Sequence, residues 1–80
     1  MTESAYQAKL IKQYEGEGWT VIKLIRANKS GYPDLLCLKP DEVRFVEVKG
    51  PKGRLSKVQE YRIAELRAKG FDVQVLTAAI

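Results

Sequence analysis

Apolar side chains recur at Tyr6, Leu10, Ile11 and Tyr14 in the opening stretch "TESAYQAKLIKQYEGEG", the spacing of one face of an α-helix. The pattern predicts a helix from about Glu3 to Glu15, capped by Thr2 or Ser4 and stopped by Gly16 and Gly18. The period then changes. "WTVIKLIR" (19–26) is rich in β-branched residues and of strand length. Its two alternating sets, Trp19-Val21-Lys23-Ile25 and Ile22-Leu24, are both largely apolar, which predicts a strand covered on both faces. "ANKSGYP" reads as a loop, "DLLCL" as a second strand, "KPDE" as a tight turn and "VRFVEVK" as a third strand, so the second and third strands should form a hairpin. "GPKGR" breaks the run, Leu55 to Lys69 reads as a second helix ending at Gly70, "FDVQVL" as a last strand and "TAAI" as a tail.

The order α-β-β-β-α-β predicts an α/β fold with a mixed sheet, the last strand returning across the second helix. With no internal repeat or linker, residues 1–80 are expected to form one domain. Two places break the pattern. Strand residues two apart share a side of the sheet, so Glu47 and Lys49 leave in the direction of Phe45 and Val43, which covering helices would bury. Asp34, introduced by Pro33, stands at the head of the strand before. On the second helix, Leu55, Val58, Arg62 and Leu66 gather around one face, and Gln59 falls within that stripe. A buried, unsatisfied amide costs roughly 1–3 kcal/mol. Gln59 therefore either bonds backbone or water at the edge of the core, or reaches a polar cluster of Asp34, Glu47 and Lys49.

Charge changes this picture modestly. Fourteen Lys and Arg against ten Asp and Glu give +4, a slight lean toward polyanions. The basic residues gather around two loops: Lys23, Arg26 and Lys29 at one, and Lys49, Lys52, Arg54 and Lys57 at the other. The chain has no histidine, which excludes histidine-based catalysis and zinc sites and leaves carboxylates, lysines and tyrosines for any acid–base or metal chemistry. Cys37, the single cysteine, sits in an apolar run and reads as a buried, inert thiol. No apolar run approaches the roughly 18 residues of a membrane span, and no signal-peptide core is present, so a cytoplasmic protein with no membrane partner is expected.

Asp34 and Glu47 at the ends of adjacent strands could hold Mg²⁺ or Mn²⁺, with the Val48 carbonyl as a further oxygen ligand. The Lys49 ammonium could stabilise developing negative charge or act on the attacking water. Gly50 and Pro51 leave room for a sugar-phosphate chain, flanked by Lys52 and Arg54. The plain alternative is an ion-paired cluster at a sheet end. A Glu-x-Lys triplet alone says little in a chain with 30% charged residues. Pro-Asp, a hairpin, Glu-Val-Lys on an apolar strand and then a basic Gly-Pro loop say much more.

These residues resemble the PD-(D/E)xK nuclease superfamily, with Pro33-Asp34 and Glu47-Val48-Lys49 as the two halves of its signature. More closely, "SGYPDLLCL", "FVEVKGPKGRLSKVQ" and "GFDVQVL" resemble a stand-alone VRR-NUC (virus-type replication-repair nuclease) domain, over about Glu3 to Leu76. The resemblance implies Asp34 and Glu47 as metal-binding acids, Lys49 as the catalytic lysine and Gln59 as a site residue on the second helix. Glu3 falls where such nucleases place an acid on the first helix, although first-turn glutamates are also favoured by the helix dipole. Tyr32 is bulkier than the small aliphatic residue expected before Pro-Asp. Minimal members of the family resemble Holliday junction resolvases and larger proteins act on flaps. The expectation is therefore a Mg²⁺- or Mn²⁺-dependent DNA endonuclease, selective for branched DNA and acting as a homodimer, with Trp19, Tyr61 and the "LTAAI" tail as candidate association surface. Arg26, Lys29, Lys52, Arg54 and Lys57 are the expected nucleic-acid contacts. A non-catalytic nucleic-acid-binding module is the rival from another class, and a flap or RNA nuclease would share the metal chemistry. Acids in a basic groove favour catalysis, because without a metal they would repel phosphate.

Overall fold

Thr2 opens the first helix, its hydroxyl accepting a hydrogen bond from the Ala5 N–H at 3.1 Å. The computed structural model describes residues 1–79. Helix α1 (Glu3–Gly16) is followed by strands β1 (Thr20–Lys23), β2 (Leu35–Lys39) and β3 (Glu42–Lys49), helix α2 (Lys57–Ala68) and strand β4 (Asp72–Thr77). The sheet runs in the order β1-β2-β3-β4, with β1, β2 and β3 antiparallel in succession and β4 parallel to β3. The α-β-β-β-α-β order and mixed α/β sheet read from the sequence are present, as is the β2–β3 hairpin, which turns at Pro40-Asp41 with Asp41 at φ 62°. The crossover from β3 through α2 to β4 is what makes the last pair parallel.

The helices lie on opposite faces. On the α1 side its own Leu10 and Tyr14 are buried together with Trp19, Leu35, Cys37, Val46 and Val48. On the α2 side Ile63, Leu66 and Val73 are buried, with Tyr32, Phe45, Leu55 and Val75 packed around them. Alternation along β3 thus sends Val46 and Val48 toward α1, and Phe45 and the charged Glu47 and Lys49 toward α2. Cys37 is fully buried, and that burial raises its thiol pKa, as expected of an inert cysteine.

Several expectations need correction. β1 spans only Thr20–Lys23, and it is not covered on both faces: Ile22 is 43% and Ile25 87% exposed. β1 is the edge strand next to β2, while α2 packs on β4 at the opposite edge. Trp19, expected on an association surface, is buried; its ring meets Tyr14 edge-on at 5.9 Å and lies 4.7 Å from the Lys39 ammonium. Ala78 of the tail is also buried, its N–H donating to the Lys49 carbonyl, and Ile80 lies outside the described residues. On α2, Ile63 rather than Val58 belongs to the core, and the helix starts at Lys57 because Ser56 is its cap.

Candidate active site

The site is built where the heads of β2 and α2 meet the end of β3. Asp34 precedes β2, and its main-chain carbonyl accepts from the Leu24 N–H at 2.8 Å, holding it in line with β1. Its side chain turns toward β3, where Oδ2 accepts from the Val48 N–H at 2.8 Å. Pro33 explains why the carbonyl beside this bond stays free. Leu35 pairs with Val46, so the register carried two residues further sets Pro33 opposite Val48. Proline has no N–H to give, so the Val48 carbonyl receives no ladder bond from it. Asp34 occupies the Val48 N–H, and the neighbouring carbonyl is left as an acceptor on the same edge.

Glu47 is only 2% exposed. Its Oε2 accepts from the Lys49 ammonium at 3.2 Å and from the Gln59 amide Nε2 at 3.1 Å. The Gln59 oxygen accepts from Lys49 Nζ and from the Ser56 N–H, each at 2.9 Å. Ser56 returns the interaction, its Oγ accepting from the Gln59 N–H at 3.2 Å to complete a capping box. Two donors on the oxygen side and one acceptor on the nitrogen side fix how the amide points. The geometry shows both readings open for Gln59: its side chain bonds the Ser56 backbone and also reaches Glu47 and Lys49. Ser56 escaped the sequence reading, although Ser-x-x-Gln before an apolar run is a capping-box signal. Gly53 keeps the next loop close: a Cβ there would lie 3.2 Å from the Lys49 Cδ, so a side chain would press on the lysine stem.

Burial raises the pKa of both acids. For Asp34 the Val48 N–H works against desolvation, and the Glu3 charge adds to it. For Glu47 desolvation comes first, then the charge of Asp34, partly offset by Lys49. Glu3 is thus near enough for its charge to act on both, and its Cβ lies 3.5 Å from where a Cβ on Gly50 would sit. It does not complete a cluster: among the described residues no three carboxylates or other ligating side chains come together to hold a metal. A buried carboxylate and a half-buried one, mutually repelling and beside a carbonyl, still fit Mg²⁺ or Mn²⁺, since Mg²⁺ commonly takes one or two carboxylates and keeps several waters. Arg26, Lys29, Lys52, Arg54 and Lys57 are all exposed, and among the described residues none is in an ion pair.

The model of the VRR-NUC domain matches residues 1–79. This chain belongs to the VRR-NUC domain family. A solved structure described as a VRR_NUC domain superposes with a TM-score of 0.83 at 26% identity, covering 99% of this chain and 87% of the other. Fanconi-associated nuclease 1 of Danio rerio is 43% identical over 49 residues, 59% of this chain, and the match spans 5% of that protein's length. The mixed sheet with a helix on each face has the PD-(D/E)xK nuclease superfamily fold, and family membership supports nuclease activity and the metal dependence that goes with it. Among the described residues no helix is long and apolar enough to cross a membrane.

Proposed function

We propose that this VRR-NUC domain is a Mg²⁺- or Mn²⁺-dependent endonuclease that hydrolyses DNA phosphodiester bonds, with a preference for branched DNA such as four-way junctions. The observation that carries the reading is the buried Glu47 carboxylate, held by Lys49 and Gln59 beside a second half-buried acid, Asp34. A buried charge arrangement of this kind is costly as mere structure and useful as a ligand set. Asp34, Glu47 and the Val48 carbonyl are the groups that would hold the metal, which when bound neutralises phosphate charge and activates water.

The chain's own groups do the rest. Lys49, with only 12% of its side chain exposed, keeps a desolvated ammonium beside the reacting phosphate, where it stabilises developing negative charge. Gln59 holds that ammonium and Glu47 in fixed relation, so neither must reorganise during reaction. Glu3 adds negative potential that favours a cation between Asp34 and Glu47. Arg26, Lys29, Lys52, Arg54 and Lys57 bind the nucleic-acid backbone through phosphates.

One such site cuts one strand per visit, and symmetric cleavage of a junction calls for a two-fold pair. With Trp19 buried, the apolar surface open to a second copy includes Tyr61, 61% exposed, and the sheet face that α2 leaves open, where Ile22, Val43 and Phe71 are 43%, 38% and 40% exposed. Cleavage of junction, flap, duplex and single-stranded DNA with and without Mg²⁺, paired with light scattering, tests the reading. Mg²⁺-dependent cutting of the junction by a dimer is expected. Absence of cleavage on every substrate would contradict the nuclease; a monomer cutting duplex equally well would contradict the junction preference.

A further inference from the structure

Residues 24–33, which deliver Asp34 to the site, contain no helix or strand. A site acid must be held to about 0.5 Å to work, and a loop alone does not supply that precision. The Leu24 and Val48 N–H groups hold Asp34 itself, and α2 holds the loop that leads to it. The Tyr32 hydroxyl donates to Glu65 Oε1 at 2.7 Å, and the Arg62 guanidinium lies 5.0 Å from the centre of the Tyr32 ring. Arg62 Nε donates to the Ser30 carbonyl at 3.0 Å, while its Nη1 stands 3.6 Å from Glu65 Oε1. Between those two anchors Gly31 has φ 89°, and a Cβ there would lie 2.9 Å from both Cγ2 and the carbonyl oxygen of Val58. The loop backbone therefore rests directly on the helix, in a conformation and at a distance that only glycine allows. The Tyr32 pKa is raised, and that of Glu65 lowered, chiefly by their shared hydrogen bond, as expected for a phenol donating to an ionised carboxylate.

The same helix carries Gln59, which grips Glu47 and Lys49. One rigid element thus holds both halves of the site, the loop that ends in Asp34 and the end of β3. We propose that Tyr32, Arg62 and Glu65 are positioning residues that set Asp34 against Glu47 through α2, an inference that rests on Asp34 being a metal-binding acid. The bulk of Tyr32 is then explained: only a side chain of that length, with a hydroxyl at its tip, spans from the loop to Glu65.

The test compares Tyr32→Phe, Glu65→Ala, Glu65→Gln and Asp34→Ala by calorimetric titration with Mn²⁺, thermal melting, and the Mn²⁺ concentration giving half-maximal cleavage. Disturbing what orients a metal ligand commonly costs about tenfold or more in affinity, so Tyr32→Phe and Glu65→Ala, which release the loop before Asp34, should each bind Mn²⁺ about tenfold more weakly. Glu65→Gln keeps an oxygen to accept from Tyr32 and should stay within about threefold of the parent protein, a rescue that general destabilisation would not produce. Tyr32→Phe retains the packed ring, so it decides the matter if Glu65→Ala fails to fold. Parent-like Mn²⁺ affinity in Tyr32→Phe, alongside lost binding in Asp34→Ala, would overturn the positioning role alone. Undiminished binding in Asp34→Ala would overturn the site reading beneath it.

Discussion

Val46 and Val48 on one side of β3, and Glu47 and Lys49 on the other, are successive residues shielded almost equally from water and opposite in energetic sign. The two valines are fully buried against α1, each contributing about 1.5–3 kcal/mol by leaving solvent. Glu47 is 2% exposed and works against the fold, since its burial disfavours the ionised form that the Lys49 and Gln59 hydrogen bonds support. The apolar side holds the strand in register; the polar side uses that rigidity to keep charges where water would otherwise separate them. Apolar packing and the candidate site are thereby divided between the two faces of one strand.

Substitutions on the two sides should separate cleanly. Lys49→Ala is expected to slow cleavage by about 10²–10³-fold while leaving the fold and Mn²⁺ binding in place, because on the proposed reading the lysine acts on charge that develops only during reaction. Single-turnover kinetics with Mg²⁺ measures this, and near-parent turnover would reduce Lys49 to an ion-pair partner. Leu35→Ala, a fully buried residue facing α1, should show the converse, losing about 2–5 kcal/mol of stability in urea denaturation. Its residual folded fraction should keep the parent cleavage rate; a selective loss of rate at full folding would break the division between faces. Gln59→Ala should lie between, with cleavage slowed about tenfold, and an unchanged rate would return the glutamine to its capping role alone.

The smallest effect concerns pH. The native state holds protons on Asp34 and Glu47 at pH values where the unfolded chain has lost them. More protons are bound in the native state across that window, so stability conferred at low pH is lost as pH rises from the ordinary carboxylate range through the raised native values. Glu65 and Asp72 have lowered pKa values and act in the opposite sense, so the difference between variant and parent is the informative quantity. Metal-free Glu47→Gln should melt roughly 3–6 °C higher than the parent at neutral pH, the gap closing on acidification. A gap that is absent at neutral pH, or that widens in acid, would mean Glu47 is stabilised as an anion.

Much of this architecture was legible in the order of residues, because local pattern and global fold agree. The Thr2 cap, the Pro40-Asp41 turn and the β3 alternation lead directly to the element order, and the charged pair Glu47 and Lys49 on an apolar strand marks the candidate site. What could not be read depends on contacts between distant residues. The open face of β1 follows from α2 packing on the far edge, which no feature of "WTVIKLIR" encodes. Trp19 reads as a surface aromatic until Tyr14, Lys39 and Arg44 are seen around it. Tyr32 and Glu65 are 33 residues apart, so their bond has no local signal. On α2, Val58 and Ile63 are both apolar and β-branched, and only the direction from which the sheet approaches decides that Ile63 is buried.

The account rests on Asp34 and Glu47 together holding a divalent cation, and calorimetric titration of the folded protein with Mn²⁺ tests this most directly. Binding that is present in the parent chain and lost in both Asp34→Ala and Glu47→Ala, with melting curves showing each variant folded, is the predicted result. Undiminished Mn²⁺ binding by both folded variants would contradict it.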